Sequence, residues 1–232
     1  MQNDELIDYN YLNKIASSFE DSLRCILHKI DEYSYIPTEI LNSKELYLLS
    51  KSNIDSGQKK FKKFLNPQNN SKLLDIGCFM NFISHKYYKW KSTYYGIDIS
   101  EFVIKTVKDF ADKKGLKYGF LLCAPAHKIP SDNDFFDYIT CINVFEYFDL
   151  DYAQIVMNEI FRVLKPCGKV IIDIPNPEHK CFESILKVEK FFNRENKFIY
   201  GGVVFESLLK NRFTIANKDS SDVMIQYFLI KN

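Results

Sequence analysis

Glycine is scarce in this sequence, and long uncharged runs are missing. The chain has 8 glycines among 232 residues, about 3% where proteins average about 7%, which excludes collagen-like and low-complexity architectures. The longest run without Asp, Glu, Lys or Arg is ten residues, whereas a membrane-spanning helix needs about 20 apolar residues. The first residues also lack the basic start and apolar stretch of a secretory signal. We therefore expect a compact, cytoplasmic protein that does not insert into a membrane.

Net charge and paired cysteines are missing as well. The 31 Lys plus Arg balance 30 Asp plus Glu, and the formal charge is +1. The chain thus lacks the strong positive charge with which proteins bind nucleic acids or anionic membranes without sequence specificity. We expect a small-molecule partner, with no nucleic-acid or membrane partner.

The six cysteines are scattered and form no Cys-x-x-Cys pair, which argues against a zinc site and a redox dithiol. No metal site is predicted, and the oligomeric state stays open.

The pattern of apolar residues changes after the first third of the chain. In the N-terminal part, residues such as Leu23, Leu27 and Ile30 recur at helical spacing and no strand pattern occurs. From Lys72 onward, short apolar runs alternate with helical segments, which is typical of β-α-β units around a parallel sheet. The predicted units are an N-terminal helical cap at 1–70 and a larger domain at 71–232, with a lid insertion at 176–200.

Seven short apolar runs are candidate strands. Because helices are predicted between most of them, the sequence indicates an α/β fold with a doubly wound, mostly parallel sheet. Ser100 is placed to cap one helix, and either Asp149 or Asp151 is placed to cap another. Pro166 and Gly168 are predicted to end that second helix. The candidate strands are residues 73–76, 94–98, 118–123, 136–142, 170–174, 213–217 and 223–230.

The turn after the first strand carries the strongest functional signal. An apolar strand there ends in Asp75-Ile76-Gly77, and a glycine at such a turn lets a ligand approach main-chain amides at the start of the next helix. Asp98 ends the second strand 21 residues after Gly77, close to the spacing at which acidic residues bind the ribose of a nucleotide. An adenosine-containing ligand is therefore expected. The alternative interpretation of Asp98 is a cap for the helix that starts near Ser100.

Six segments, taken in order, resemble the class I S-adenosylmethionine-dependent methyltransferases, in particular the group that acts on small molecules. The resemblance covers about residues 72–175. It implies a Rossmann-like, seven-stranded sheet whose last strand is antiparallel, with the methyl donor lying across the carboxyl ends of the strands. The matching segments are residues 73–78, 95–100, 126–130, 136–139, 143–147 and 159–168.

The resemblance also implies which residues hold the cofactor S-adenosylmethionine and its product S-adenosylhomocysteine. The turn at Gly77 would hold the methionine portion, and Asp98 would hold the ribose. Ile99 would cover one face of the adenine, and the backbone of Ala126 and His127 would meet its edge. The cofactor-binding residues predicted on this basis are Asp75, Gly77, Cys78, Phe79, Asp98, Ile99, Ala126, His127 and Asn143.

The sequence departs from the family pattern at three positions. Phe79 and Asn81 stand where the family has further glycines, and Pro125 replaces an acidic residue that often meets the adenine amino group. These departures support an alternative, a degenerate methyltransferase fold that serves as a non-catalytic binding or regulatory protein. A dinucleotide-dependent dehydrogenase is disfavoured, because its Gly-x-Gly-x-x-Gly turn would need glycines at Phe79 and Phe82.

Three residues are candidate catalytic groups. Glu146 and Tyr147 would face the reaction centre if the resemblance holds, and otherwise they are polar residues at a helix start. His179 follows the fifth strand, where it would act as a base for the acceptor or lie in solvent as an ordinary loop histidine. The predicted function is methyl transfer from S-adenosylmethionine to a small molecule held between the sheet edge, the N-terminal helices and the 176–200 lid. The methylated atom, O, N or C, stays open.

Overall fold

The computed structural model shows a central sheet flanked by helices on both faces. It describes residues 7–28, 36–42, 44–45, 47–48, 57–78, 81–83, 85–198 and 200–232. In that part of the chain the sheet has seven strands in the order β3-β2-β1-β4-β5-β7-β6. The strands are β1 (Lys72–Ile76), β2 (Thr93–Asp98), β3 (Leu121–Cys123), β4 (Phe136–Cys141), β5 (Leu164–Pro175), β6 (Phe213–Asp219) and β7 (Met224–Lys231).

The pairing of the strands confirms the predicted fold class. Strands β1 to β5 pair in parallel, and β7 lies antiparallel between β5 and β6. The chain winds outward from β1 in one direction through β2 and β3, and in the other direction from β4 onward. In open sheets of this kind the connections diverge at such a point and leave a crevice at the carboxyl ends of the strands. The crevice therefore lies at the ends of β1, β2 and β4.

Six helices surround the sheet within the described residues. The start of α3 is capped by Ser100, whose Oγ accepts from the amide of Val103 at 3.1 Å. The start of α4 is capped by Asp149, whose Oδ1 accepts from the amide of Tyr152 at 2.8 Å, so Asp149 rather than Asp151 is the cap. The helices are α1 (Tyr9–Leu27), α2 (Gly57–Leu65), α3 (Glu101–Lys113), α4 (Leu150–Val163), α5 (Phe182–Phe191) and α6 (Gly201–Leu209).

Three predicted boundaries are wrong by three residues or more, since β5 also begins six residues before its predicted start at residue 170. The third strand begins at Leu121 instead of residue 118. Helix α4 ends at Val163, before Pro166 and Gly168, and β5 begins at once with Leu164. The reason is tertiary: the carbonyls of Arg162 and Val163 accept from the amides of residues 134 and 135 at 2.9 Å. These bonds join the helix end to the start of β4 and direct the chain into the sheet.

The alternation of side chains along the strands separates two apolar cores. Leu74 and Ile139 lie on the face that packs against α4 and α6, where Val156 is fully buried. Leu73 lies on the opposite face, which packs against α2 and α3, where Val107 is fully buried. Both faces of the sheet are therefore covered, as expected for a parallel sheet of this kind. No helix that the structure describes is both long enough and apolar enough to cross a membrane.

Helix α1 lies across the carboxyl edge of the sheet. Glu20 accepts a hydrogen bond from the Ser100 hydroxyl, just after β2. The ring of Phe19 contacts that of Tyr147, after β4, with centroids 5.4 Å apart. A helix that bridges several strand ends in this way restricts access to the crevice. The division of the chain into a cap at 1–70 and a domain at 71–232 stays a prediction.

Candidate active site

The turn after β1 requires a glycine at position 77. Gly77 has a φ of +70°, in the left-handed region that other residues enter only with strain. A Cβ at this position would lie 2.3 Å from Cγ2 of Val144, in the loop after β4. The amides of Gly77 and Cys78 both donate to the carbonyl of Ile97, at 2.9 and 3.2 Å. These contacts fix the turn beside the ends of β2 and β4.

Asp75 is fully buried in β1 and accepts hydrogen bonds from three side chains of the protein. Its Oδ1 accepts from Asn81 at 3.0 Å and from Thr140 at 2.7 Å, and its Oδ2 accepts from the Tyr94 hydroxyl at 2.7 Å. Burial raises the pKa of Asp75 to about 6, and these hydrogen bonds oppose the rise. The carboxyl group thus joins three strands to the turn that carries Asn81. Asp75 acts here as a positioning residue, while its predicted contact with a cofactor remains untested.

Asp98 and Ile99 lie at the end of β2, beside the Gly77 turn. The Oδ1 atom of Asp98 accepts from the amide of Ser100 at 3.0 Å, which orients the carboxylate and orders the start of α3. Asp98 is 8% exposed and Ile99 is half-buried, so both lie where a ligand in the crevice would be sheltered. The role of Asp98 in holding a ribose stays a prediction.

The loop after β3 brings Ala126 and His127 to the same edge. Ala126 is buried, and Nδ1 of His127 lies 2.8 Å from the hydroxyl of Tyr152 in α4. On the other side, Nε2 of His127 lies 3.4 Å from the hydroxyl of Tyr9 in α1. The imidazole therefore connects α1 to α4. This contact holds the loop in place and leaves its backbone as the part that would meet an adenine edge.

Asp173 is a further site residue, and the sequence did not single it out. This residue of β5 is 2% exposed, and its Oδ1 accepts from the amide of Asn143 at 2.7 Å. Asn143 has a φ of +55°, so the bond supports a strained turn immediately after β4. Burial raises the pKa of Asp173 above its usual range. The available signal was one carboxylate inside the apolar run 170–174, because an acidic side chain in a central strand needs a specific partner.

Glu146 lies in a single 3-10 turn, Phe145–Tyr147, and is 6% exposed. Burial raises its pKa well above the usual range, and the charge of Asp173 raises it further. Among the residues that the structure describes, nothing forms a hydrogen bond with its Oε2 atom. Its main-chain carbonyl accepts from the amides of Lys197 and Phe198, at 2.7 and 3.1 Å. A buried polar atom left without a partner costs about 1–3 kcal/mol, so a donor from a ligand would be favourable there.

Tyr147 and His179 have partners within the protein. The Tyr147 hydroxyl donates to Oε2 of Glu189 in α5 at 2.8 Å. Nδ1 of His179 accepts from the amide of Cys181 at 3.2 Å, within the turn that precedes α5. The structure therefore places Tyr147 beside Glu146 but engages its hydroxyl with the 176–200 segment, and it gives His179 a local role in a turn. Their catalytic roles stay predictions.

Arg194 joins the 176–200 segment to α1, a role that the sequence did not indicate. It is 6% exposed, its Nη2 donates to the carbonyl of Ser18 at 3.2 Å, and it also bonds to the Ser22 hydroxyl. Its guanidinium lies 4.2 Å from the ring centroid of Phe19 and 3.8 Å from Glu189. A buried guanidinium needs several partners at once, and here they come from both elements. In the sequence Arg194 is one arginine within a charged segment, and that pattern does not indicate a buried contact with α1.

Cys78 and Phe79 are the two predicted cofactor residues that follow Gly77 directly. The side chain of Cys78 is fully buried, and its Sγ would lie 3.1 Å from a Cβ at Gly96, so it packs against β2 in the core. Only its main chain is left to face a ligand. Phe79 lies outside the described residues. Within the described ranges, no group of three or more His, Cys, Asp or Glu side chains is arranged to hold a metal ion.

The sequence is similar to known methyltransferases. A sequence profile described as "Methyltransferase domain" matches residues 74–172. A ubiquinone biosynthesis O-methyltransferase of Coxiella burnetii is 27% identical over 122 residues, which are 52% of this chain and 51% of that protein. An uncharacterized protein of Methanocaldococcus jannaschii is 30% identical over 122 residues, 53% of this chain and 48% of that one. The chain thus spans about half the length of the curated relatives it matches.

Solved structures share the fold. Magnesium protoporphyrin IX methyltransferase from Synechocystis PCC 6803, with bound S-adenosylhomocysteine, superposes with a TM-score of 0.66 at 13% identity. The match covers 96% of this chain and all of that one. The PH0226 protein from Pyrococcus horikoshii OT3 superposes with a TM-score of 0.60 at 21% identity, over 86% and 97% of the two chains. At these identities the likeness concerns the fold. The order of the strands and these superpositions show the fold of the class I S-adenosylmethionine-dependent methyltransferases, and residues 74–172 are similar to a methyltransferase domain.

Proposed function

We propose that this chain transfers the methyl group of S-adenosylmethionine to a small-molecule acceptor. The observation that carries the proposal is the joining of Gly77 and Asp98 at adjacent strand ends. The amide of Gly77 donates to the carbonyl of Ile97, the residue before Asp98, at 2.9 Å. This places the bend and the carboxylate at the crevice where open α/β sheets bind their ligands.

The residues present fit this cofactor. When bound, S-adenosylmethionine supplies a methyl group activated by a positively charged sulfur. A carboxylate at the end of β2 suits the ribose hydroxyls, and that of Asp98 is oriented there by the amide of Ser100. Asn81, one of the departures from the family pattern, bonds to Asp75, so it supports the turn. The residues proposed to hold the cofactor are Gly77, Cys78 (through its main chain), Phe79, Asp98, Ile99, Ala126, His127 and Asn143, with Asp75 positioning the turn.

The acceptor would lie between the sheet edge, α1 and the 176–200 segment. The Tyr11 hydroxyl of α1 donates to the main-chain carbonyl of Glu195 at 2.5 Å, and the amide of Lys197 donates to the carbonyl of Glu146. Both contacts close the edge of the crevice from outside. Exclusion of water and a fixed orientation of the acceptor then supply much of the rate, because methyl transfer needs little further covalent help.

Glu146 is the group best placed to take a proton from an acceptor that must lose one. The hydroxyl of Tyr147 and the ring nitrogen of His179 are already hydrogen-bonded within the protein, whereas the Oε2 atom of Glu146 has no partner among the described residues. Burial raises its pKa, and therefore the proton affinity of its carboxylate, above that of an exposed glutamate. Asp173 raises that affinity through its negative charge.

The proposal is tested by titrating the protein calorimetrically with S-adenosylmethionine and S-adenosylhomocysteine. We expect both to bind, and Asp98→Ala to weaken binding at least tenfold. Each hydrogen bond to a charged group contributes about 1.5–3 kcal/mol, and about 1.4 kcal/mol corresponds to tenfold in affinity.

Asp109→Ala is the matched control. It removes an exposed carboxylate of α3, and it leaves the carboxylate of Asp98 in place. Cofactor affinity should be unchanged in this variant. If well-folded wild-type protein binds neither compound, the non-catalytic alternative is favoured, and equal affinity of Asp98→Ala and wild type would refute the assigned site.

A further inference from the structure

Two polar side chains lie next to each other at the carboxyl end of β5, on one face of the sheet. Asp173 of β5 and Gln226 of β7 are direct partners in the antiparallel pairing of these strands. Two residues away along each strand, Ile171 and Phe228 belong to the apolar core under α2 and α3, so the polar pair points to that same face. Both side chains are buried, at 2% and 6% exposure. Paired residues on one face have their Cβ atoms about 4.5–5.5 Å apart.

The amide group of Gln226 is buried without a partner. It forms no hydrogen bond with any residue that the structure describes, and its Oε1 atom is fully buried. Thr140 of β4, on the same face of the sheet, shows the usual arrangement, because its buried hydroxyl donates to Asp75 at 2.7 Å. Nearly all buried polar groups in proteins are hydrogen-bonded to protein, water or ligand. The amide of Gln226 is therefore available to a molecule that the protein binds.

The Asp173–Gln226 pair adjoins the proposed reaction centre. Oδ1 of Asp173 accepts from the amide of Asn143, just after β4, at 2.7 Å. The 3-10 turn that carries Glu146 follows and packs against β5. Oε2 of Glu146 is a second buried oxygen that lacks a hydrogen-bond partner in the described part of the chain. Since β5 lies between β4 and β7, the two oxygens are about two strand spacings apart, about 10 Å, which a small molecule can span.

A hydroxyl group complements the amide of Gln226 better than a charged group does. An amide offers a carbonyl oxygen that accepts and an NH2 group that donates, and a hydroxyl also does both. A carboxylate or phosphate only accepts, and it would lie beside the carboxyl group of Asp173. An ammonium group only donates, so it would leave the NH2 group of Gln226 unpaired.

We propose that Gln226 and Asp173 bind a hydroxyl group of the methyl acceptor, with Glu146 beside it. The identity of the ligand as a methyl acceptor rests on the proposed function, whereas the preference for a hydroxyl follows from the amide of Gln226. The acceptor then lies over the ends of β5 and β7, and the cofactor lies over the ends of β1 and β2. The acceptor class is an uncharged alcohol or phenol, in preference to a carboxylic acid, a phosphate ester or an ammonium compound.

Gln226→Met tests whether the amide serves a ligand instead of the fold. Methionine is unbranched and apolar, so the variant removes an unpartnered amide and keeps the packing. We expect the urea midpoint of the ligand-free protein to stay the same or rise. Thr140→Val is the matched comparison, because it removes a buried hydroxyl that is hydrogen-bonded, and its midpoint should fall. A lower midpoint or a failure to fold in Gln226→Met would show a structural role and overturn the proposal.

Three probes that share a benzene ring test the class of ligand: phenol, benzylamine and benzoate. Dissociation constants are measured by NMR titration of the full chain. We expect phenol to bind about fivefold tighter than either charged probe, and Gln226→Met to weaken phenol binding about fivefold, as the loss of one hydrogen bond predicts. Equal or tighter binding of a charged probe, or no binding of phenol at millimolar concentration, overturns the proposal.

Gln154→Met locates the effect on phenol binding. Gln154 is a half-buried glutamine of α4 that donates to Asn158, so its replacement makes the same chemical change outside the site. Phenol affinity should be unchanged in this variant. If Gln226→Met binds phenol as tightly as the wild type, or if both variants lose the same affinity, the site is not at Gln226.

This proposal and the proposed function fail separately. Titration of the wild-type protein with S-adenosylhomocysteine reports the proposed function, and the phenol series reports the site at Gln226. Binding of phenol through Gln226 without binding of S-adenosylhomocysteine would leave a hydroxyl-binding site on a protein that is not a methyltransferase. The reverse result would leave the methyltransferase and remove hydroxyl compounds as its acceptor class.

Discussion

Gly77 and Val144 share a space that holds only one side chain. Cγ2 of Val144 lies 2.3 Å from the position that a Cβ on Gly77 would occupy, which is closer than any two carbon atoms without a bond approach each other. The turn after β1 and the loop after β4 are therefore in direct contact. Since the first is proposed to hold the cofactor and the second carries Glu146, this contact sets the spacing of the site.

Gly77→Ala should damage both stability and cofactor binding. The new methyl group collides with Val144, and a φ of +70° is strained for alanine, so we expect a loss of about 2–4 kcal/mol in the free energy of unfolding. Urea unfolding measures the loss, and calorimetric titration with S-adenosylhomocysteine measures binding.

Gly115→Ala is the matched control for this prediction. Gly115 also has a positive φ, +59°, but a Cβ there would have no neighbour within 4 Å. We expect only the backbone strain, about 1 kcal/mol, with unchanged cofactor affinity. Equal losses in the two variants would show that the contact with Val144 has no consequence.

Asn81→Ala should make stability more sensitive to pH. Because the folded pKa of Asp75 is raised to about 6, this group contributes stability that is present below its unfolded pKa of about 4 and is lost as the pH rises through 6. Removal of the Asn81 donor raises the pKa of Asp75 further. We expect a loss of about 1–3 kcal/mol at pH 8 and a smaller loss at pH 4, measured by urea unfolding at both values. A loss that is independent of pH would contradict this role of Asn81.

Asp173→Asn should shift the pH dependence of activity. The charge of Asp173 raises the pKa of Glu146, so its removal lowers that pKa. For an acceptor that must lose a proton, the rate rises as Glu146 loses its own proton, and the rising part of the pH profile should move to lower pH in the variant. The asparagine oxygen can still accept from the amide of Asn143, which preserves the turn. If the pH profile of activity does not shift in Asp173→Asn, then either Glu146 is not the base or the charge of Asp173 does not act on it.

Arg194→Met should loosen the contact between α1 and the 176–200 segment. The substitution removes the buried guanidinium that bonds to Ser18 and Ser22, together with its contact with Glu189. We expect a loss of about 3–5 kcal/mol in the free energy of unfolding and faster proteolysis within residues 176–200. Lys190→Met, an exposed change at the end of α5, should leave both unchanged. If Arg194→Met and Lys190→Met are cleaved at the same rate within residues 176–200, the proposed role of Arg194 in holding this segment against α1 is contradicted.

The fold was predictable because its signals are local. The apolar run ending at Ile76, the cap at Ser100 and the alternation of strands with helices depend on neighbours in the chain, and the structure confirms each of them. The end of α4 was predicted wrongly for the opposite reason. Hydrogen bonds from residues 134 and 135 end that helix at Val163, and no local pattern indicates a partner about 30 residues away.

The candidate site was predictable in part. Gly77 was singled out by the turn after an apolar strand and Asp98 by its spacing from that turn, and the structure joins them through the bond of Gly77 to Ile97. Asp173 and Arg194 were missed, because their importance comes from burial and from partners on other elements. The sequence also did not indicate that the Tyr147 hydroxyl donates to Glu189 or that Nδ1 of His179 accepts from the amide of Cys181.

The sequence by itself determined the order of strands and helices, the bend at Gly77 and the carboxylate at the end of β2, since backbone preference and the periodicity of apolar residues act over a few neighbours. Only the tertiary structure decided which carboxyl groups are buried together, which side chains contact Arg194 and how α1 covers the sheet edge. These properties depend on desolvation and on charges brought close from distant parts of the chain, and both arise only when the elements pack.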